Sequence, residues 1–156
     1  MIKSSFTVLI CALAIAAVSA QARPVDVGVR AREAAHVVVA TVADVTSRFD
    51  TNEYGDRLIY SDVLVDVSET LKGTPTNVLT VTVEGGEVGT LALHVSDFPV
   101  MRRGDRVLCF LDRSRRGEWV PHRRGLGILK MDASGRIQNE QLTLSEVRAI
   151  VQNALR

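Results

Sequence analysis

Between residues 58 and 69 the chain alternates with a period of two. Ile59, Val63, Val65 and Val67 share one parity with Ser61, while Leu58, Tyr60, Asp62, Leu64, Asp66 and Ser68 share the other and mix polar with apolar. Successive side chains of a strand point to opposite faces, so one nearly uniform apolar row reads as a half-buried antiparallel strand. Leu71-Lys72-Gly73 and Pro75 end it. Residues 77–83 repeat the pattern, with Leu79, Val81 and Val83 opposite Val78, Thr80 and Thr82.

The other segments support the same class. Residues 36–49 are dense in β-branched side chains, which suit a pleated surface. Their length predicts a bent strand shared between two sides of a barrel. A polar turn follows at 50–56, with Gly55 free to take a positive φ. The loop Glu84-Gly-Gly-Glu-Val-Gly89 reads either as a bulge or turn needing left-handed backbone angles, or as a nest of N–H groups for an anion. A short strand is expected in 90–95, a central apolar one at 107–111 and a charged hairpin tip at 113–118. Residues 119–131 read as one strand interrupted by Pro121, Gly125 and Gly127. Thr143 with Glu146 is a capping-box pair, and Leu144, Val147, Ile150, Val151, Ala154 and Leu155 form a helical stripe over 143–156. The expected fold is mainly β: a five- to six-stranded antiparallel OB-like barrel, or a related sandwich, covered by a C-terminal amphipathic helix.

At the N-terminus, Lys3, an apolar run over 6–18 and the small residues Val18-Ser19-Ala20 have the form of a secretory signal peptide over 1–20. The run is short for a membrane span. Processing would leave Gln21 or Arg23 first, then a polar lead-in over 21–33 with a short helix, and a single domain over 34–156. The expected location is outside the cytoplasm, in a periplasm or the medium. Cys11 falls in the leader, which leaves Cys109 alone in an apolar stretch. That thiol is a small buried hydrophobe, an intermolecular disulfide partner or a reactive group; an internal disulfide is ruled out.

Without Lys3 the eighteen remaining basic residues balance eighteen acidic ones, which speaks against a dedicated nucleic-acid binder. The charges nevertheless segregate. Residues 44–69 are mainly acidic and residues 102–124 mainly arginine. Two solvated faces that neutralise each other across the fold is one reading. The other is a patch of Arg113, Arg115, Arg116, Arg123 and Arg124 with Trp119, open to an acidic partner, an anionic glycan or nucleic acid. Serine-nucleophile, paired-cysteine, zinc-protease and phosphate-loop motifs are missing, and no cofactor is implied. His36, His94 and His122 are isolated in sequence. Their convergence in space would allow a metal-dependent enzyme.

Val39-Ala-Thr-Val42, Val65-Asp-Val-Ser-Glu-Thr-Leu-Lys-Gly73, Gly85-Gly-Glu-Val-Gly89 and Gly104-Asp-Arg-Val-Leu-Cys-Phe-Leu111 together resemble a group of uncharacterised exported bacterial domains of OB-like architecture. That architecture is also similar to the netrin-type modules of tissue metalloprotease inhibitors. Those inhibitors chelate the protease zinc through an N-terminal cysteine and brace the barrel with disulfides. This chain has neither feature, so no site residue carries over. The expected function is a non-enzymatic exported module that binds another exported protein, a secreted protease among the candidates.

Overall fold

The computed structural model describes residues 26–138 and 141–156. The expected leader, its Cys11 and the Gln21 or Arg23 start lie outside the described residues. Two long strands, β1 (His36–Thr51) and β2 (Arg57–Lys72), pair antiparallel along nearly their whole length. Their turn is held by Asn52, whose Oδ1 accepts from the amides of Tyr54 (2.9 Å) and Asp56 (2.8 Å). Strand β3 (Val78–Glu84) continues the sheet beside β2, with Val63 opposite Val81. A small separate ribbon follows, of β4 (Gly86–Val88) and β5 (Leu91–Leu93).

Strand β6 (Arg106–Arg113) runs along the first half of β1, from His36 opposite Leu111 to Thr41 opposite Arg106. On its other edge lie β7 (Trp119–Pro121) and β8 (Ile128–Met131), one after the other. The expected interrupted strand is therefore two pieces, parted by a 3-10 turn over Arg124–Gly127. Arg123 and Arg124 take φ values of 53° and 60°, which turn the chain out of the ladder. Strand β7 meets β3 at Val81 and Trp119, so the pairings close a ring β1–β2–β3–β7–β6–β1. The β3–β7 pairing is parallel, against the all-antiparallel expectation. Five strands in a ring cannot all alternate in direction, so one parallel neighbour is unavoidable.

Two apolar layers hold the fold. Inside the ring, Val38, Ala40 and Val42 of β1 pack with Val63 and Val65 of β2, Val81 of β3, and Val107, Cys109 and Leu111 of β6. The opposite faces of β1 and β6 carry Val37, Val39, Leu108 and Phe110, which pack with helices α1 (Val27–Glu33) and α2 (Leu144–Ala154). Both faces of these strands are thus buried, which is why their sequences are runs of apolar residues without alternation. The lead-in contributes to this layer through Val27 and Ala31 of α1, both buried.

The helices are fastened chemically as well as by packing. Asp26 accepts from the Val29 amide (2.8 Å) at the start of α1. At its other end the Lys72 ammonium donates to the carbonyls of Ala31, Arg32 and Ala34 (2.8, 2.8 and 2.6 Å), satisfying acceptors that a helix C-terminus leaves open. Helix α2 begins with the expected capping box of Thr143 and Glu146, and Arg148 is tied to Glu69 of β2 (2.8 Å).

Candidate functional site

The β1–β2 turn and the β6–β7 turn stand on either side of a groove of about 700 Å³. Leu58, Tyr60 and Thr82 from β2 and β3 contribute to it, with Val120 and Pro121 of β7. The pleat turns Tyr60 and Thr82 to the face opposite Ile59, Ser61, Val81 and Val83, and Thr82, itself buried, donates to Asp62 (2.9 Å).

Of the six residues expected to form a basic patch, Arg113, Arg115, Arg116 and Arg124 line this groove. Each is already engaged. Arg115 meets Glu53 (3.0 Å), and Arg116 meets Asp50 (3.1 Å) and the Thr51 carbonyl (2.6 Å). Arg124 meets Asp97 (3.0 Å) and Glu84 (3.3 Å), while Arg113 bonds the Gly117 carbonyl and stacks 3.7 Å above the Trp119 ring. Trp119 itself packs against the inner core. Arg123 points elsewhere, to Glu33 (2.7 Å). The acidic and basic stretches therefore do face each other across the fold.

Arg48 links the two sides beneath these pairs. It binds Asp50, Asp62 (2.8 Å) and Glu118 of the opposing turn (3.5 Å). Its hydrogen bond, ahead of that from the Thr51 amide, holds the Asp50 carboxyl down at about 2. Burial, reinforced by Glu84, raises the Tyr60 phenol. Tyr54, at the tip of the β1–β2 turn, is 82% exposed. The sequence signals for Asp50, Glu53 and Tyr54 are the acidic stretch and the polar turn at 50–56, and nothing in the sequence marks Arg48 as the residue that joins the two sides.

The histidines occupy three different settings. His94 lines a second cavity beside the β4–β5 ribbon. His122 lies between carboxylates, with Nδ1 2.6 Å from Asp112 and Nε2 3.3 Å from Glu33. His36 is 3% exposed and its ring centre lies 5.0 Å from that of Trp119. Among the described residues no group of three or more histidine, cysteine or carboxylate side chains is arranged to hold a metal ion.

His36 occupies a tight place. A Cβ on Gly73 would stand 2.6 Å from its Cδ2, and Gly73 itself has a φ of +96°. Its Nε2 is buried without a hydrogen-bond partner. Burial lowers the imidazole pKa, with Arg113 adding to the effect and a bond to the Thr74 backbone opposing it. The unfolded chain takes up this proton near its ordinary value of about 6.5, whereas the native state resists it. Stability is therefore full above that pH and is lost as pH falls towards the lower native value. Urea midpoints followed by fluorescence of Trp119, the one tryptophan, should fall between pH 7.5 and 5.5. His36→Phe should flatten that fall; parallel profiles would contradict the assignment.

No protein family matches the chain, and no curated protein matches it.

Proposed function

We propose that this chain is an exported, non-catalytic module that binds another exported protein in the groove between its β1–β2 and β6–β7 turns. The state of the arginines carries the reading. Four of them line the groove with their charge or donors already engaged by the chain itself, so a polyanion would have to displace those partners. The surface left on offer is of mixed sign, and the exposed Tyr54 lines it together with Leu58 and Tyr60. Aromatic anchors within a polar rim are characteristic of protein interfaces. The ring order resembles that of OB-type barrels, which take ligands on their second and third strands between two such loops.

A photo-crosslinking residue at position 54, compared with one at Gln152 on α2, tests this in exported fractions of the native cell. Position 54 should give one dominant protein adduct and Gln152 none. Against the recovered partner, Tyr54→Ala should weaken affinity roughly tenfold or more, as loss of a central aromatic does. Retention on heparin or oligonucleotide with no protein adduct would favour the anionic-ligand alternative and overturn this reading.

A further inference from the structure

The inward rows of β1 and β2 turn from valine to serine at one end of the ring. Ser61 is only 4% exposed, in the row that carries Val63 and Val65. Ser47 lies opposite it on β1, with the two hydroxyl oxygens 2.9 Å apart. They help line a cavity of about 480 Å³, walled by Val45, Val63, Val83, Phe98 and Met101. This volume lies within the roughly 300–1,000 Å³ of small-molecule sites, which combine apolar walls with a few placed polar groups. The backbone of Gly85 and Gly86 closes over the serines at φ of +104° and +132°. A Cβ on Gly86 would fall 2.3 Å from Ser61 Oγ and 2.4 Å from Ser47 Oγ, so only glycine allows this approach.

The hydrogen bonds define what the serines can recognise. Ser61 donates its proton to the Gly85 carbonyl (2.7 Å). The bond between the serines must then use the proton of Ser47, whose own oxygen accepts from the Glu87 amide (3.3 Å). A hydroxyl has one proton and two lone pairs. Both protons are committed and each oxygen keeps one lone pair; Ser47 is the less buried residue of the two.

The geometry points to a binding site for a small, uncharged, largely apolar molecule bearing an O–H or N–H donor, such as a phenol or alcohol, with Ser47 Oγ accepting its hydrogen bond. Glu84 and Glu87 line the cavity together with Arg102 and His94, and Glu84 is already paired with Arg124 (3.3 Å), so the wall carries no cationic excess that would select an anion. The double glycine thus serves to bring backbone onto a serine pair rather than to hold an anion. The cavity and the groove share Glu84 and Phe98, but the serines line only the cavity and Tyr54 only the groove, so substitutions at Ser47 and Tyr54 test the two readings separately.

Phenol and its methyl ether, anisole, are a matched pair of probes. Titrated into the folded chain, phenol should shift the backbone amide resonances of Gly85, Gly86 and Glu87. It should bind roughly three- to tenfold more tightly than anisole, the worth of one neutral hydrogen bond. Ser47→Ala should erase that preference while leaving weak binding of both. Ala92→Trp, at an exposed position of β5 on the cavity wall, should block both probes and covers the case in which Ser47→Ala does not fold. Tyr54→Ala should change neither affinity. Equal affinity for phenol and anisole, a preference that survives Ser47→Ala, shifts centred elsewhere or no shifts at all would each overturn the assignment.

Discussion

Phe110→Ala is expected to lower the unfolding free energy by about 3–5 kcal/mol, the range for removing a buried aromatic ring. Phe110 is fully buried on the face of β6 that the two helices cover. It shares its apolar cluster with residues of four other elements, including Val37 of β1, Ala31 of α1, Met131 of β8 and Val147 of α2. A hole here cannot close by moving one loop, because β1 and β6 are held from behind by the inner core. Domains of this size are stable by only about 5–15 kcal/mol, so a large share of the total is at stake. Denaturant unfolding with an unchanged slope would measure the loss directly. A change below about 1.5 kcal/mol would mean that the helices do not seal this layer.

Gly125→Ala should be as damaging, for a steric reason. A Cβ on Gly125 would stand 1.5 Å from the Asp97 carbonyl oxygen, 2.3 Å from its carbon and 2.9 Å from the Phe98 nitrogen. All three are backbone atoms, so no rotamer change relieves the overlap. The 3-10 turn and the 97–98 loop would have to part. That separation pulls Arg124 from Asp97 and from the Phe98 ring, 5.4 Å away. Gly117→Ala supplies the control, since Gly117 has a φ of +82° but nothing within 4 Å of a Cβ. It should cost about 1–2 kcal/mol, the strain of a left-handed L-residue, and Gly125→Ala at least twice as much. Equal losses would show that the 3-10 turn and the loop do not touch.

The strands were legible where one physical pattern governed each of them. In β2 a single buried face produces a row of alternating valines, and the run in β1 is long because it serves two neighbours. Gly125 and Gly127 marked the break between β7 and β8, but its form was not legible, since the turn depends on Arg123 and Arg124 accepting left-handed angles that favour glycine. The buried role of α1 was also hidden, because small residues such as Ala31 carry little periodic signal. At the groove the arginines stood out by number, but what matters there is their pairing. Glu53 and Arg115 are sixty-two positions apart, a separation that only the closed ring spans. The serine pair was visible as a single break in an apolar row, without the second hydroxyl that gives it meaning.

Cys109 lies on the inner face of β6, 1% exposed, and burial pushes its thiol up to about 12. Only a thiolate attacks a disulfide or an oxidant readily, so the finished fold holds this sulfur chemically silent. The danger belongs to the moments before closure, when β6 is still open to solvent. Two chains coupled through this sulfur could not then shut their rings, because the bridging atoms would occupy the space reserved for Val38 and Ile128. Docking of β6 between β1 and β8 is therefore a protective step as well as a structural one, and it leaves the folded molecule with no thiol to guard.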